Sequence, residues 1–449
     1  MVLESRSELG GTWSLFKYPG IRSDSDMYTF GYSFKEWNNP KSFADAPSIL
    51  EYLKEAASEF KVNERIRYNQ KVLSFNFNSK EHLWTVTAEN TKTKERTSYF
   101  AQFVFSCSGY YNYDKGYTPD FPGLNDFQGP VIHPQKWPSN FDAKDKNIVV
   151  IGSGATAVTI VPKLAEKAKK VTMLQRSPTY VGALPNRDKI ANFIKRILPN
   201  KLAFQTIRFK NVLFGMIFFY ACRWFPEAMK KFIVKGAQKE LGDFPADPHF
   251  TPNYNPWVQR FCIAPDADFF KAIKNGKANV VTNHIERIEA NGIRLTNGDF
   301  IDADVVITAT GLNLLPFGGV SISRDGQPFD LTKSFVYKGL MLSELPNFFV
   351  FVGYTNASWT LKSDLTSEYI SRVLKYLDKR SLRSCVPHVI ESNLQPTPLM
   401  NLDSGYLNRS SHLLPSQGDK SPWRVYQNYF LDYRLLRLDP IADGRMKFN

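Results

Sequence analysis

Three groups of residues in this 449-residue chain have types and spacings that could do chemistry. The first is Gly152-Ser153-Gly154-Ala155-Thr156-Ala157, which follows the apolar run ending in Ile151 and opens a helical stretch. A buried strand that enters a glycine turn at a helix start is suited to hold a pyrophosphate. Gly152 permits the tight turn, Gly154 leaves the backbone bare where phosphates meet the helix N-terminus, and Ala157 lets helix and strand pack. The second group, Gln175-Arg176, ends the next expected strand. An NAD site places an acidic residue there for the ribose 2′-OH, whereas a cation with small polar neighbours suits a 2′-phosphate, so the pattern predicts NADP. The third is Arg260, a permanent cation set among Tyr254, Trp257 and Phe261. On residue type alone it reads more readily as a surface or capping arginine.

These residues need elements to position them. The alternation of patterns predicts an α/β fold with two dinucleotide-binding, Rossmann-like units. Met1 to Glu4 resembles the tail of a strand with an acidic residue at its end. In a nucleotide unit such an acid lies about 20 residues after the glycine turn. Counting back from Glu4 runs off the chain, so the expectation is a first unit truncated before that point, although Glu4 is equally explained as an exposed acid. Gly10-Gly11-Thr12-Trp13 would let backbone pass close to a flat ring. A helix is expected over 48–60, strands over 66–76, 84–88 and 99–106, a buried strand over 348–354 and a helix over 364–376. Pro162 should kink the helix that follows the glycine turn. Small residues end the strands at Ser106 to Gly109 and Thr308 to Gly311, as for a chain that leaves one nucleotide unit, builds another and returns. Expected boundaries are 1–140 and 312–449 for the two parts of the first unit and 141–311 for the second.

Composition narrows the class. Hydrophobic content of 43% implies a globular protein. Cys107, Cys222, Cys262 and Cys385 form no C-x-x-C pair, which argues against a zinc ribbon or other metal site and against a redox disulfide, and fits a reducing, cytoplasmic compartment. No basic region followed by an apolar stretch opens the chain, so no signal peptide is expected. The formal charge of +14 is concentrated in an insertion at about 187–245. Between Arg187 and Glu240 there are twelve Lys or Arg against three acids, a net of +9. The same segment holds the apolar run Val212 to Cys222, too short to cross a bilayer, which needs about 20 residues. It could form a helix buried under a basic rim, or lie on an anionic membrane surface. Nucleic acid is a poorer explanation, because no binding module accompanies the charge.

Phe127 to Pro138 reads F-x-G-x-x-x-H-x-x-x-W-P, a stiff connection leading into the second unit, with His133 better suited to architecture than to proton transfer. This pattern resembles the fingerprint of type I Baeyer–Villiger monooxygenases. The resemblance extends through Gly10 to Trp13, Tyr18 to Met27, Ser106 to Asn112, Ile151 to Thr179, Tyr254 to Arg260, Thr308 to Asn313 and Gly353 to Lys362. It implies FAD and NADPH as cofactors, O2 as co-substrate, and a ketone or organosulfur substrate oxidised through a C4a-peroxyflavin. It further implies that Glu4 holds the FAD ribose, that Gly11, Thr12, Trp13 and Asp24 line the flavin, and that Val72 meets the adenine. Arg22, Ser23 and Asp24 lie where nicotinamide should arrive. Ile151, Gly152, Ser153, Gly154, Ala155, Thr156, Ala157, Gln175 and Arg176 match the NADP site. Arg260 matches the active-site arginine, with Asp24 to orient it; alone, Asp24 would pass for a turn carboxylate. Two other classes compete: a truncated remnant that no longer binds FAD, and an NADPH–flavin disulfide reductase, which would need the paired cysteines that this chain lacks.

Overall fold

A computed structural model describes residues 1–400 and 402–449. Its clearest layer is a parallel sheet with strand order Ala278–Thr282, Lys170–Gln175, Asn147–Ile151, Val305–Thr308 and Val131–Ile132. The central strand is buried from Ile148 to Ile151 without alternation, as expected where both faces are covered. Helices Ala155–Leu164 and Asp268–Lys274 pack one face, where Val158, Phe269 and Phe270 meet Ile148 and Val150. Val149, Ile151 and Val306 fill the other face against Ile288 and Ile293 of the meander Ile285–Glu289, Gly292–Leu295 and Phe300–Asp302. Pro162 falls in the final turn of its helix, which runs unbroken to Leu164, so it accompanies the helix end rather than a mid-helix kink.

The rest of the chain builds its sheets from distant segments. Two expected strands divide. The run over 66–76 becomes Ile66–Arg67, parallel to Val2–Leu3, and then Gln70–Asn78 in an antiparallel sheet, with Asn69 at φ +58° making the turn between them. The run over 99–106 becomes Arg96–Ala101 in that antiparallel sheet and Val104–Ser106 beside Phe348–Val350. Both runs keep strand periodicity while the chain changes sheets, and periodicity carries no information about partners. Among the described residues, Val2–Leu3 and Val104–Ser106 each pair along one side only. The strand over 348–354 stops at Val350, and the helix expected over 364–376 is longer, Trp359–Lys379.

The two crossings run together. Tyr111–Gly116 pairs antiparallel with Leu312–Leu314. His133 clamps them: its Nδ1 accepts from the Gln135 N–H, which leaves Nε2–H to donate to the Gly311 carbonyl at 3.1 Å. A Cβ on Gly116 would lie 2.1 Å from the imidazole. The ring is an architectural piece, and burial holds its pKa below the usual value.

The basic segment at about 187–245 folds as a three-helix arm, Lys189–Ile197, Asn200–Trp224 and Pro226–Leu241. The middle helix greatly exceeds the eleven-residue apolar run, and by length and composition alone it could cross a membrane. Its buried Arg208 ties it to the body instead. The guanidinium donates to the carbonyls of Tyr28 and Gly31 at 2.8 and 2.7 Å and pairs with Asp364 at 2.5 Å. Two backbone carbonyls and one carboxylate thus anchor the arm, yet its outward face remains strongly apolar rather than forming only a basic rim.

Candidate active-site cleft

A cleft of ≈ 940 Å³ opens between the loop Asp24 to Thr29, the parallel pair Val181–Leu184 and Cys262–Pro265, the arm, and the segment Tyr354 to Leu361. Arg260 lies on its wall, directly before the second of those strands. Its Nε and Nη2 both donate to Oδ2 of Asp24, at 3.0 and 2.6 Å. The side chains are 42% and 27% exposed, so the pair faces the cleft while remaining partly desolvated. Trp257, held at φ +66°, lies nearly parallel to Phe261 with ring centroids 6.2 Å apart and shapes the turn that delivers Arg260. Cys262 beside it is no nucleophile, because burial pushes its thiol up to about 12.

The glycine turn has the geometry that its sequence predicts. Gly152 sits at φ +133°, and a Cβ there would come within 2.3 Å of the Ala309 carbonyl oxygen. Gly154 caps the helix, and a Cβ there would meet no protein atom within 4 Å, which is room for phosphates. Ala157 is fully buried at the helix–strand contact. Ser153 Oγ donates to the Ser177 carbonyl at 3.1 Å and lies 3.1 Å from Thr179 Oγ1, joining the turn to the end of the second strand. Arg176 is exposed there. Gln175 points the other way. Its buried amide donates to the His249 carbonyl at 2.7 Å and to Thr282 Oγ1 at 2.9 Å, so its side chain braces the strand end rather than reaching outward to a ligand.

One loop joins the two sides of the cleft. The Tyr18 hydroxyl bonds Thr156 in the glycine turn, and burial pushes its phenol up to about 12. Arg22 forms a two-armed pair with Asp268, at the start of the second helix of the parallel-sheet layer. Ser23 is buried and closes a local turn with Ser25, and Asp24 takes Arg260. Of the three, Asp24 lines the cleft, whereas Arg22 is engaged by a carboxylate of the parallel-sheet layer and Ser23 by its own turn. Tyr18 and Asp268 were not legible as site residues, since each partner lies more than a hundred residues away with no local motif to mark it.

The flavin-side residues cluster more loosely. Gly11, at φ +49°, caps the short helix Thr12–Leu15, and its carbonyl accepts from Arg6 Nη1 at 2.8 Å. Thr12 Oγ1 lies 3.0 Å from the Tyr113 hydroxyl, and Trp13 meets Phe30 edge-on. Glu4 follows the Val2–Leu3 strand and accepts from the Arg6 N–H, while Val72 packs with Leu3 in the core beneath. A Cβ on Gly109 would meet no protein atom within 4 Å, so the small-residue strand end after Ser106 leaves open space. The residues fit a flat ring here, as the glycine turn fits a dinucleotide. No group of three or more His, Cys, Asp or Glu side chains that could hold a metal ion occurs among the described residues.

A glycine turn on a parallel sheet, tied through the loop Tyr18 to Asp24 to a second region built from distant strands, is the arrangement expected of a two-nucleotide flavoprotein oxidoreductase. The family model described as flavin-binding monooxygenase-like matches residues 7–380, and the chain belongs to that family. It is 49% identical over 449 residues to the FAD-containing monooxygenase EthA of Mycobacterium tuberculosis, covering all of this chain and 91% of the relative. Among solved structures, an oxidised steroid monooxygenase bound to NADP aligns with a TM-score of 0.71 at 22% identity, over 86% of this chain and 82% of that one. A cyclohexanone-bound cyclohexanone monooxygenase aligns with a TM-score of 0.67 at 22% identity, over 86% and 83%. The chain is a flavin-dependent monooxygenase.

Proposed function

We propose that this chain is an FAD-, NADPH- and O2-using monooxygenase of the Baeyer–Villiger type, converting ketones to esters and oxidising thioethers or thioamides at sulfur. The overall conversion is ketone, O2, NADPH and a proton to ester, water and NADP+. The observation that carries this reading is the Arg260–Asp24 pair on the cleft wall, beside a loop tied to the nucleotide turn. Bound FAD would supply the oxygen-activating chemistry, and the protein supplies position, charge and exclusion of water.

Residues Ile151 to Ala157 would hold the NADPH pyrophosphate, with Arg176 toward the 2′-phosphate. Glu4, Gly11, Thr12, Trp13 and Val72 would hold the flavin nucleotide. Arg260 stays cationic at every working pH and presents its guanidinium where negative charge develops on substrate oxygen. Asp24 fixes the direction of that guanidinium through one oxygen, keeping the fork in the cleft. Aromatic residues of the arm, Phe214, Phe218 and Phe219, also line the cleft and favour an apolar substrate while limiting water.

The test is to incubate the purified protein with FAD, NADPH and cyclohexanone under air and follow lactone and NADPH together. One lactone formed per NADPH oxidised is expected. Oxidation of NADPH solely to hydrogen peroxide, with every ketone and sulfide tried, overturns the reading. The half-paired strands Val2–Leu3 and Val104–Ser106 favour a second reading, in which this polypeptide does not retain FAD by itself. The visible spectrum of the purified protein separates the two: a flavin band near equal occupancy supports the first and its absence the second.

A further inference from the structure

The outer face of the arm is apolar where a water-facing helix should be polar. On the first helix, Ile190, Phe193 and Ile197 recur at i, i+3 and i+7, so they share one face; all three are more than half exposed. Phe214 and Ile217 on the middle helix and Phe232 on the third are equally exposed. Six large apolar side chains on three neighbouring helices exceed the scattering normal for a surface. They also surround an opening, because Ile190, Phe214 and Phe232 line the cleft that holds Arg260.

Cations flank this face. Lys189, Arg196, Lys231, Lys235 and Lys239 are exposed. Of the three acids in the segment, Asp188 is already held by Lys210 and by the Ala191 N–H. An apolar face with a cationic fringe matches the acyl and headgroup layers of an anionic bilayer. A second copy of the chain is a poorer occupant, since a two-fold contact would bring the same cations against one another.

We propose that the arm docks on an anionic lipid surface and turns the mouth of the cleft toward the acyl region, so that substrates dissolved in the bilayer enter without crossing water. The anchoring of the arm gives this docking a fixed orientation, because Arg208 and Asn211 hold the middle helix to the loop Asp26 to Gly31 at the back of the same cleft. The docking rests on the exposed face alone; the entry of substrate rests also on the monooxygenase reading.

Flotation with vesicles of phosphatidylglycerol and phosphatidylcholine, against phosphatidylcholine alone, tests the docking. The wild-type chain should float with the anionic vesicles and be released by raised salt. The double variants Phe193→Ser/Ile197→Ser and Lys231→Glu/Lys235→Glu, which lie outside the cleft lining, should each bind at least about tenfold more weakly. With NADPH and FAD, their turnover of a small water-soluble ketone should be unchanged, while turnover of a long-chain ketone presented in anionic vesicles should fall by a similar factor. Failure of the wild-type chain to float, flotation that neither variant weakens, or a vesicle-free oligomer dissolved by Phe193→Ser/Ile197→Ser overturns the docking. Normal flotation without turnover of either ketone instead overturns the monooxygenase reading and leaves the docking standing. Equal turnover of the vesicle-borne ketone by wild type and variants overturns entry through the bilayer.

Discussion

The parallel sheet around Asn147–Ile151 and the sheets around Val104–Ser106 do the same kind of work by different means. In the first, one continuous stretch supplies strand, glycine turn, helix and second strand, and every inner strand is paired on both sides. In the second, strands come from residues 2, 66, 104 and 348 onward, and three of them pair on one side only. The contrast teaches that a site built from one local stretch is rigid by its own packing, whereas a site gathered from distant stretches depends on cross-ties. Here those ties are Tyr18–Thr156, Arg22–Asp268 and Asp24–Arg260, all reaching from the second region into the first or its extension.

The largest effect should come from the tie nearest the chemistry. Arg260→Ala is expected to lower ester formation by about a hundredfold or more while NADPH still binds, since removing one preorganised charge typically has that consequence. Product yield measured beside nucleotide affinity checks it, and a variant with full product yield would mean that the cross-ties do not carry the chemistry.

The two glycines of the nucleotide turn sharpen the contrast between rigid frame and open room. Gly152→Ala forces a side chain against the Ala309 carbonyl at positive φ, so a fall of about 1–3 kcal/mol in unfolding free energy is expected, with loss of nucleotide binding. Gly154→Leu should leave the thermal midpoint in place and raise the KM for NADPH about tenfold or more, because only ligand space is filled. Equal thermal behaviour of the two variants would erase the distinction.

Gln175→Met takes the donor from the His249 carbonyl and from Thr282, and a cost of about 1–3 kcal/mol should appear in urea unfolding, with the preference for NADPH over NADH unchanged. Arg176→Gln should do the reverse: stability kept, preference for NADPH reduced. Together they divide a dipeptide whose two members look alike in the sequence.

That dipeptide illustrates what was legible. The turn from Gly152 to Ala157 could be read because all its geometry is local and each residue type answers one steric demand. The inward turn of Gln175 could not, since it is decided by His249 and Thr282, which arrive from elsewhere. The same reason hid the sheet changes at Asn69 and after Ala101, where strand periodicity continues across a change of partner. Arg260 and Asp24, 236 residues apart, were joined by family likeness alone, and the ion pair between them is what the folded chain adds. The arm's length was obscured because on its middle helix charge and apolar residues follow no single clean period, and the exposure of its apolar face depends on which neighbours the fold leaves out.

The smallest effect concerns the clamp between the regions. Burial lowers the His133 pKa, so the unfolded chain takes up its proton first as pH falls. The contribution of the neutral ring is full above about 6.5 and shrinks as pH drops below that value toward the folded-state pKa. Urea stability at pH 7.5 and 5.5 should fall less for His133→Asn than for the wild-type chain; an equal fall would assign the loss to other groups.

The loop from Tyr18 to Asp24 has a final consequence. It belongs by sequence to one region but holds the other largely by charge and hydrogen bonds. Ionic strength should therefore tune how tightly the halves embrace, and a nucleotide that reinforces Thr156 would be felt at residue 260 through the seven residues from Tyr18 to Asp24.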